Sequence, residues 1–332
     1  MLNNIFITGA TGYLGQRLAH HLAGKGHTIH ALVRDQNKAM AILNHSSIKL
    51  FKGCILKKET IAKAMEGCDQ VFHLAALATV WHKNPNAFKK TNMGGLKNVL
   101  EICVDKGIKD VLFTSTAGVV GHSTNGKPVA ELTNSNPRLE TLYEKSKLLA
   151  EDVALEYLSK GLRVVIVNPS RVYGPGLLTE SNGFTRLMKM YLEGKWNIRP
   201  GNGKSIGNYV YIDDVIEGFE LAMKKAHPGE RYLLGGIDVS YNEFFDSISR
   251  LSGKHPKLHS IPLSVMLLAS YLHLALAHTT GKHPLITPPF VRKYTKNWLV
   301  SSEKAKMELG YAITPLETGL AKTLSWLQSP AI

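Results

Sequence analysis

Ile5-Phe6-Ile7-Thr8-Gly9-Ala10-Thr11-Gly12-Tyr13-Leu14-Gly15 decides the fold of this chain of 332 residues. An apolar, strand-forming run leads straight into three glycines spaced three apart, and a helix-forming stretch over residues 14–23 follows, ending at Gly24. In that context Gly9 permits a tight turn, Gly12 lets a pyrophosphate approach the backbone, and Gly15 lets the helix pack close on its strand. The helix N-terminus adds free N–H groups and a dipole that favour an anion. A glycine turn also serves simply to join a strand to a helix, so its weight depends on what lies downstream.

Downstream the chain alternates. Residues 27–33, 48–51, 70–74 and 110–114 read as further strands, with helical stretches most clearly over 59–65 and 87–104. A helix over about 142–159 precedes the uninterrupted apolar run Val164-Val165-Ile166-Val167, which suits a strand buried on both faces. This order predicts an α/β fold, a Rossmann-type doubly wound parallel sheet, with residues 1–170 as a dinucleotide-binding domain. After Asn168-Pro169, turns at Gly174-Pro175-Gly176 and Pro200-Gly201-Asn202-Gly203 mark excursions into a smaller C-terminal substrate lobe over 171–332, mainly 171–207 and 237–332. Residues 208–236 are expected to return to the nucleotide domain, through a strand at 209–212, a helix from Asp213 and a strand at 231–234. No internal repeat or low-complexity segment interrupts this pattern.

Chemistry enters at Tyr143-Glu144-Lys145-Ser146-Lys147. A Tyr and a Lys four apart share one helix face, so an ammonium beside the phenol is expected to lower its pKa from about 10. Such a pair moves protons near neutral pH, and the glycine turn supplies a dock for a dinucleotide; together they indicate a nicotinamide-dependent enzyme. At the end of the second strand, where an acidic side chain would bind a ribose hydroxyl, the chain has Arg34, with Lys38 four residues on. That favours NADP over NAD, although Asp35 stands one step later.

Bland alternatives exist for each position. A Tyr-x-x-x-Lys pair arises by chance on many helices, a Ser or Thr after a strand is often a cap, and Asn92 reads as a structural hydrogen-bonder. Trp81 suits packing and a substrate border equally.

The formal charge of +14 comes from scattered lysines without basic runs interleaved with aromatics, which argues against nucleic acid and for anionic small molecules or acidic lipid. Cys54, Cys68 and Cys103 suggest neither a disulfide framework nor a metal site, and no metal is expected. With no signal segment before the first strand, a cytoplasmic location is expected. The apolar stretch 261–277 falls short of the roughly 20 residues that span a bilayer. It is expected first as a buried helix or subunit contact, and second as a peripheral membrane helix flanked by Lys254, Lys257 and Lys282.

Six ordered motifs resemble the extended short-chain dehydrogenase/reductase family, the NAD-dependent epimerase/dehydratase superfamily. They are Thr8 through Gly15, Phe72-His73-Leu74-Ala75-Ala76, Thr114-Ser115-Thr116-Ala117-Gly118, the Tyr143 to Lys147 segment, Asn168-Pro169-Ser170-Arg171-Val172-Tyr173-Gly174-Pro175, and Tyr209-Val210-Tyr211-Ile212-Asp213-Asp214-Val215. Within the family they are similar to the branch with dihydroflavonol 4-reductase, cinnamoyl-CoA reductase and 3β-hydroxysteroid dehydrogenase. The resemblance implies that Tyr143 is the acid/base, that Lys147 holds the nicotinamide ribose, and that Thr116, with Ser115 the runner-up, polarises the substrate oxygen. It implies cofactor contacts at Gly9, Thr11, Gly12, Tyr13, Leu14, Gly15, Arg34, Lys38, Cys54, Ile55, Leu74, Ala75, Ala76, Tyr143, Lys147, Pro169 and Ser170. Two departures are visible. Gly53-Cys54 stands where the family carries Gly-Asp, and Gly207-Asn208 stands where nucleotide-sugar enzymes carry an Arg-Asp that clamps a diphosphate. The expectation is therefore a reductase of an apolar carbonyl compound with a small-molecule substrate and a homodimeric state. A nucleotide-sugar epimerase is the alternative and a non-catalytic dinucleotide sensor the third possibility.

Overall fold

The computed structural model describes residues 2–133, 137–284 and 286–329. Its strands are β1 (Asn4–Thr8), β2 (Thr28–Val33), β3 (Ile48–Lys52), β4 (Gln70–His73), β5 (Asp110–Thr114), β6 (Arg163–Pro169), β7 (Arg171–Tyr173), β8 (Ile198–Pro200), β9 (Ile206–Tyr211), β10 (Arg231–Leu234), β11 (Ile237–Ser240) and β12 (His259–Ile261). Seven of them form one sheet in the order β3-β2-β1-β4-β5-β6-β10. Every neighbouring pair in it is parallel.

The helices are α1 (Tyr13–Gly24), α2 (Gln36–Ile42), α3 (Lys58–Ala64), the single turn α4 (Asn86–Phe88), α5 (Gly95–Lys106), α6 (Leu142–Glu156), α7 (Gly183–Leu192), α8 (Ile212–Lys225), α9 (Tyr241–Ser252), α10 (Leu263–Thr280), α11 (Pro288–Tyr294) and α12 (Leu316–Leu327). Alternating side chains of the strands serve two cores. Ile5, Ile7, Val165 and Val167 pack with α1 and α8 on one face. Phe6, Val164 and Ile166 pack with α3, α5 and α6 on the other. That is why β6 is apolar without interruption: both of its faces are inside. The strand order reverses beside β1, so the crevice outside the C-terminal ends of β1 and β4 is the topological switch point where such sheets bind ligands.

The expected Rossmann-type sheet is therefore present, with one strand placed differently from expectation. The segment 209–212 does not join the large sheet; β9 lies between β11 and β7 in a separate three-stranded sheet, and β8 pairs with β12 in a further two-stranded one. The helix that follows, α8, does pack on the large sheet, and β10 closes its edge. The chain thus crosses between the layers at Tyr211–Ile212, where β9 ends and α8 begins.

Of the first expectation for the apolar stretch 261–277, a buried helix or a subunit contact, burial within the lobe is overturned. In α10 only Ser270 and Ala277 are buried. Leu268, Leu272 and Leu276 are 59–63% exposed. Its inner face is narrow: Ser270 and Ala277 are buried, Leu267 and Leu274 beside them only partly, and Val265, Leu268, Leu272 and Leu276 are exposed.

Candidate active site

The three glycines of the first turn differ in what surrounds them. Gly9 has φ +76°, and a Cβ there would lie 2.7 Å from the Ala75 nitrogen, so the turn after β1 and the segment after β4 touch. At Gly15 a Cβ would lie 2.1 Å from the Gly9 carbonyl oxygen, which makes that glycine a packing requirement. Among the described residues the one near neighbour of a Cβ at Gly12 is the Gly9 oxygen at 3.2 Å. Gly12 is also the N-cap of α1, with no side chain capping it and no acidic residue in the first turn. The helix start is thus an uncapped group of N–H donors beside a hollow that a side chain at Gly12 would fill, which fits a pyrophosphate.

Thr8 holds the floor of this hollow. Its hydroxyl accepts from the Ala75 N–H at 3.2 Å and lies 2.9 Å from Nδ1 of His73. His73 is fully buried, and burial, with Lys147 acting the same way, pushes its pKa down to about 3. It is therefore neutral, and one hydrogen bond joins its ring to the Thr8 hydroxyl. Leu74, Ala75 and Ala76 follow as partly exposed residues along the crevice. Thr11 and Leu14 are partly exposed as well. Tyr13 differs from the implied cofactor contact: its side chain is 2% exposed and donates to the Gly174 carbonyl at 3.0 Å, so only its backbone belongs to the turn.

At the end of β2, Arg34 and Lys38 are exposed. Asp35 instead caps α2, accepting from the Lys38 N–H at 3.1 Å. The acidic side chain that would favour a ribose hydroxyl is committed to the helix, while the two cations remain at the surface. Just past the neighbouring strand β3, the Thr60 hydroxyl of α3 engages both backbone groups of Cys54, at 3.0 and 3.1 Å. Ile55 is buried, and Asn98 holds its carbonyl at 2.9 Å.

Helix α6 begins with a capping box between Thr141 and Glu144 and carries Tyr143 and Lys147. Lys147 is 1% exposed; its ammonium donates to the Thr114 carbonyl at 2.7 Å and stands 4.7 Å over the Phe113 ring. Burial lowers its pKa to about 7, with Glu151 opposing. The expected lowering of Tyr143 is not observed. Burial, and then Glu144, push the phenol above its ordinary value, while the Lys147 ammonium is engaged with Thr114. The phenol is therefore a protonated donor in this state of the protein.

The two candidate hydroxyls are sorted by depth. Ser115 is 4% exposed, whereas Thr116 is partly exposed. Thr116 caps the short 3₁₀ turn Ala117–Val120 by accepting from the Gly118 N–H at 3.2 Å. Accepting leaves its own proton free to donate to a substrate oxygen, so the cap and the substrate contact are compatible. Pro169 ends β6, and Ser170 is partly exposed immediately beyond it.

Asn92 sits fully buried in a π-turn, Lys89–Gly94, and bonds both the Leu77 backbone and the Ser146 hydroxyl. It fixes the segment after β4 against α6, as its structural reading anticipates. Trp81 packs edge-on against His278 and His283, tying that segment to the lobe. Sequence patterns gave no sign of the link between Glu144 and Lys293 at 2.5 Å, which joins the residue beside Tyr143 to α11. They also left Arg171 without a role. Its signal was Gly207, whose missing side chain leaves room for that guanidinium.

Comparison with known proteins covers nearly all of this chain. The family described as "NAD dependent epimerase/dehydratase family" matches residues 5–235. Sterol demethylase protein B of Methylococcus capsulatus is 28% identical over 97% of this chain and 97% of its own length. The 4-hydroxy-2-methyl-3-oxo-4-farnesyl-3,4-dihydroquinoline-1-oxide ketoreductase of Stigmatella aurantiaca is 26% identical over 92% of this chain and 91% of its own. A crystal structure of UDP-glucose 4-epimerase from Thermotoga maritima, with UDP-glucose, superimposes with a TM-score of 0.81 at 23% identity, covering 98% of each chain. At that identity the likeness is one of fold.

Proposed function

Because this chain belongs to the NAD-dependent epimerase/dehydratase family, we propose that it is an oxidoreductase that reduces the carbonyl group of a largely apolar compound to an alcohol, reversibly, with NADP preferred. The observation that carries this reading is that Lys147, one helical turn after Tyr143 on α6, bonds the Thr114 carbonyl at the end of β5, two residues before Thr116, on the same C-terminal edge of the sheet as the glycine turn. Behind it Phe184, Tyr209 and Phe244 pack ring against ring inside the lobe, with the partly exposed Tyr294 against Phe184. A bound nicotinamide supplies the hydride. The glycine turn and the start of α1 would hold its pyrophosphate, and Arg34 with Lys38 would meet a 2′-phosphate. Tyr143, protonated in this state, donates its proton to the substrate oxygen while Thr116 steadies that oxygen. Lys147, poised near neutrality and on the same helix face, would supply the proton that restores the phenol. The ketoreductase of Stigmatella aurantiaca, similar along 92% of the chain, supports carbonyl reduction.

The test is isotopic. NADPH deuterated at the transferable position, incubated with aromatic and aliphatic ketones and aldehydes, should yield alcohols carrying the deuterium. Product without label, or sugar nucleotide epimerised with no net oxidation of cofactor, would contradict the reductase reading.

For the exposed helix α10 we propose a seat on an anionic bilayer surface. Residues 251–302 contain no Asp or Glu and six Lys or Arg. A cavity of ≈ 260 Å³ lined by His122, Arg138, Arg292 and Lys296, with Glu140 its one acid, opens beside Leu263 at the start of the helix. Among the described residues α10 is the one helix long and apolar enough to cross a membrane. Its Tyr271 hydroxyl, held by Arg292 at 2.7 Å, keeps it against the lobe, which suits lying in the interface. Sedimentation with vesicles of phosphatidylserine and phosphatidylcholine should remove the protein from solution, and phosphatidylcholine alone should not. A protein that stays in solution with both, or dimerises through α10 instead, would refute this.

A further inference from the structure

Two partly buried cations of this protein meet buried carboxylates: Arg231 pairs with Glu151, which is fully buried, and Lys293 with Glu144, which is 1% exposed. Arg171 has no carboxylate partner among the described residues. It opens β7 directly opposite Tyr209 of β9, and its guanidinium lies 5.0 Å from the Tyr294 ring, 5.6 Å from Tyr209 and 5.7 Å from Phe184. Its Nη1 donates to the Tyr209 hydroxyl across a long 3.5 Å. Its Nη2 is buried with no hydrogen-bond partner among the described residues. A Cβ at Gly207 would stand 2.0 Å from Nη1, so the glycine there is what admits the guanidinium.

The cage adjoins two residues of the site along the chain. Tyr294 follows Lys293, the residue that holds Glu144 next to Tyr143, and Arg171 follows Ser170, the residue just beyond β6. The side chain as a whole is only partly buried, which leaves a path to it. A desolvated cation surrounded by rings and lacking a counter-ion is costly, and the rings offset only part of that cost. Such a group persists where a ligand completes it.

We propose that Arg171 is a binding subsite for an anionic group of the substrate, a carboxylate or a phosphate ester, which Nη2 receives by a charge-assisted hydrogen bond while the rings cover the ligand's apolar body. The substrate is then an oxo compound with an acidic end. The inference rests on the reductase reading for the word substrate, but its test reads binding and stability rather than turnover.

Thermal unfolding of the NADPH-saturated protein would be measured alone and with benzoate, phenyl phosphate or benzyl alcohol, for wild type, Arg171→Lys and Arg171→Met. One of the two anions should raise the wild-type Tm, which names the acidic group, and the neutral alcohol should not. Arg171→Met should start about 2 °C more stable than wild type, because an uncompensated charge is gone, and should respond to neither anion. Arg171→Lys should keep a weakened response. A wild type indifferent to both anions, a Met variant that still responds, or a Met variant that begins less stable would each overturn the proposal. Failure of carbonyl reduction with the anion response intact would leave the subsite standing and remove only the reductase reading.

Discussion

Strand β1 and helix α10 are both apolar stretches of the chain, and they meet opposite fates. Ile5, Phe6 and Ile7 are at most 1% exposed, while Leu268, Leu272 and Leu276 are 59–63% exposed. The strand finds both of its partners within the protein, because its alternating side chains feed two cores. The helix is apolar nearly all round and fully buries only Ser270 and Ala277. Apolar sequence therefore states a need for cover without saying who supplies it. The nucleotide half of the cleft is closed by the chain itself. The lobe half carries groups that the chain leaves open: the α10 surface and the Arg171 cage.

Breaking the closed half should be expensive. His73 lies beneath the turn with a pKa near 3, against about 6.5 when unfolded, because burial disfavours its charge. Between those values the unfolded chain binds the extra proton, so stability is lost as pH falls from about 6.5 toward 3. The loss reaches on the order of 4–5 kcal/mol from this group alone. Urea unfolding across that range should show the slope, and His73→Gln should flatten it.

Gly15→Ala forces a Cβ to 2.1 Å from a backbone oxygen and should cost about 3 kcal/mol or more in the same assay. Gly12→Ala has only the 3.2 Å neighbour, so it should unfold nearly like wild type yet bind NADPH about tenfold more weakly. Equal stability losses for the two would erase the distinction drawn between packing glycine and cradle glycine.

Most of the closed half was legible in the sequence, because its constraints are local. The strand, the glycine spacing and the Tyr143/Lys147 spacing each depend on residues a few positions apart. Less legible was whatever depends on distant partners. Asp35, one step past Arg34, was the complication for an NADP reading, and its role as the cap of α2 depends on the helix being formed. The phenol of Tyr143 was expected to fall in pKa, but burial and Glu144 outweigh the ammonium, which is drawn to Thr114. Arg171 and Gly207 are 36 positions apart, and their reciprocity exists only once β7 and β9 are paired.

Smaller effects sharpen the same contrast at its exposed edges. Arg34→Ala should reduce the preference for NADPH over NADH by about tenfold, since one surface cation facing a phosphate contributes on the order of 1 kcal/mol. The ratio of kcat/KM values for the two cofactors measures it. Smallest of all should be the stability change on Leu268→Glu with Leu272→Glu, within about 0.5 kcal/mol because neither side chain is covered. The same double variant should no longer sediment with anionic vesicles. A large loss of stability would mean that the protein covers α10 after all.

The central claim is that cofactor holding and proton handling are separate tasks of one site, and Tyr143→Phe tests it most directly. NADPH affinity and NADPH-dependent carbonyl reduction would be measured on the same preparation of the variant and of wild type. The account predicts unchanged affinity and turnover reduced by about 10²–10⁴. Turnover close to wild type would contradict it.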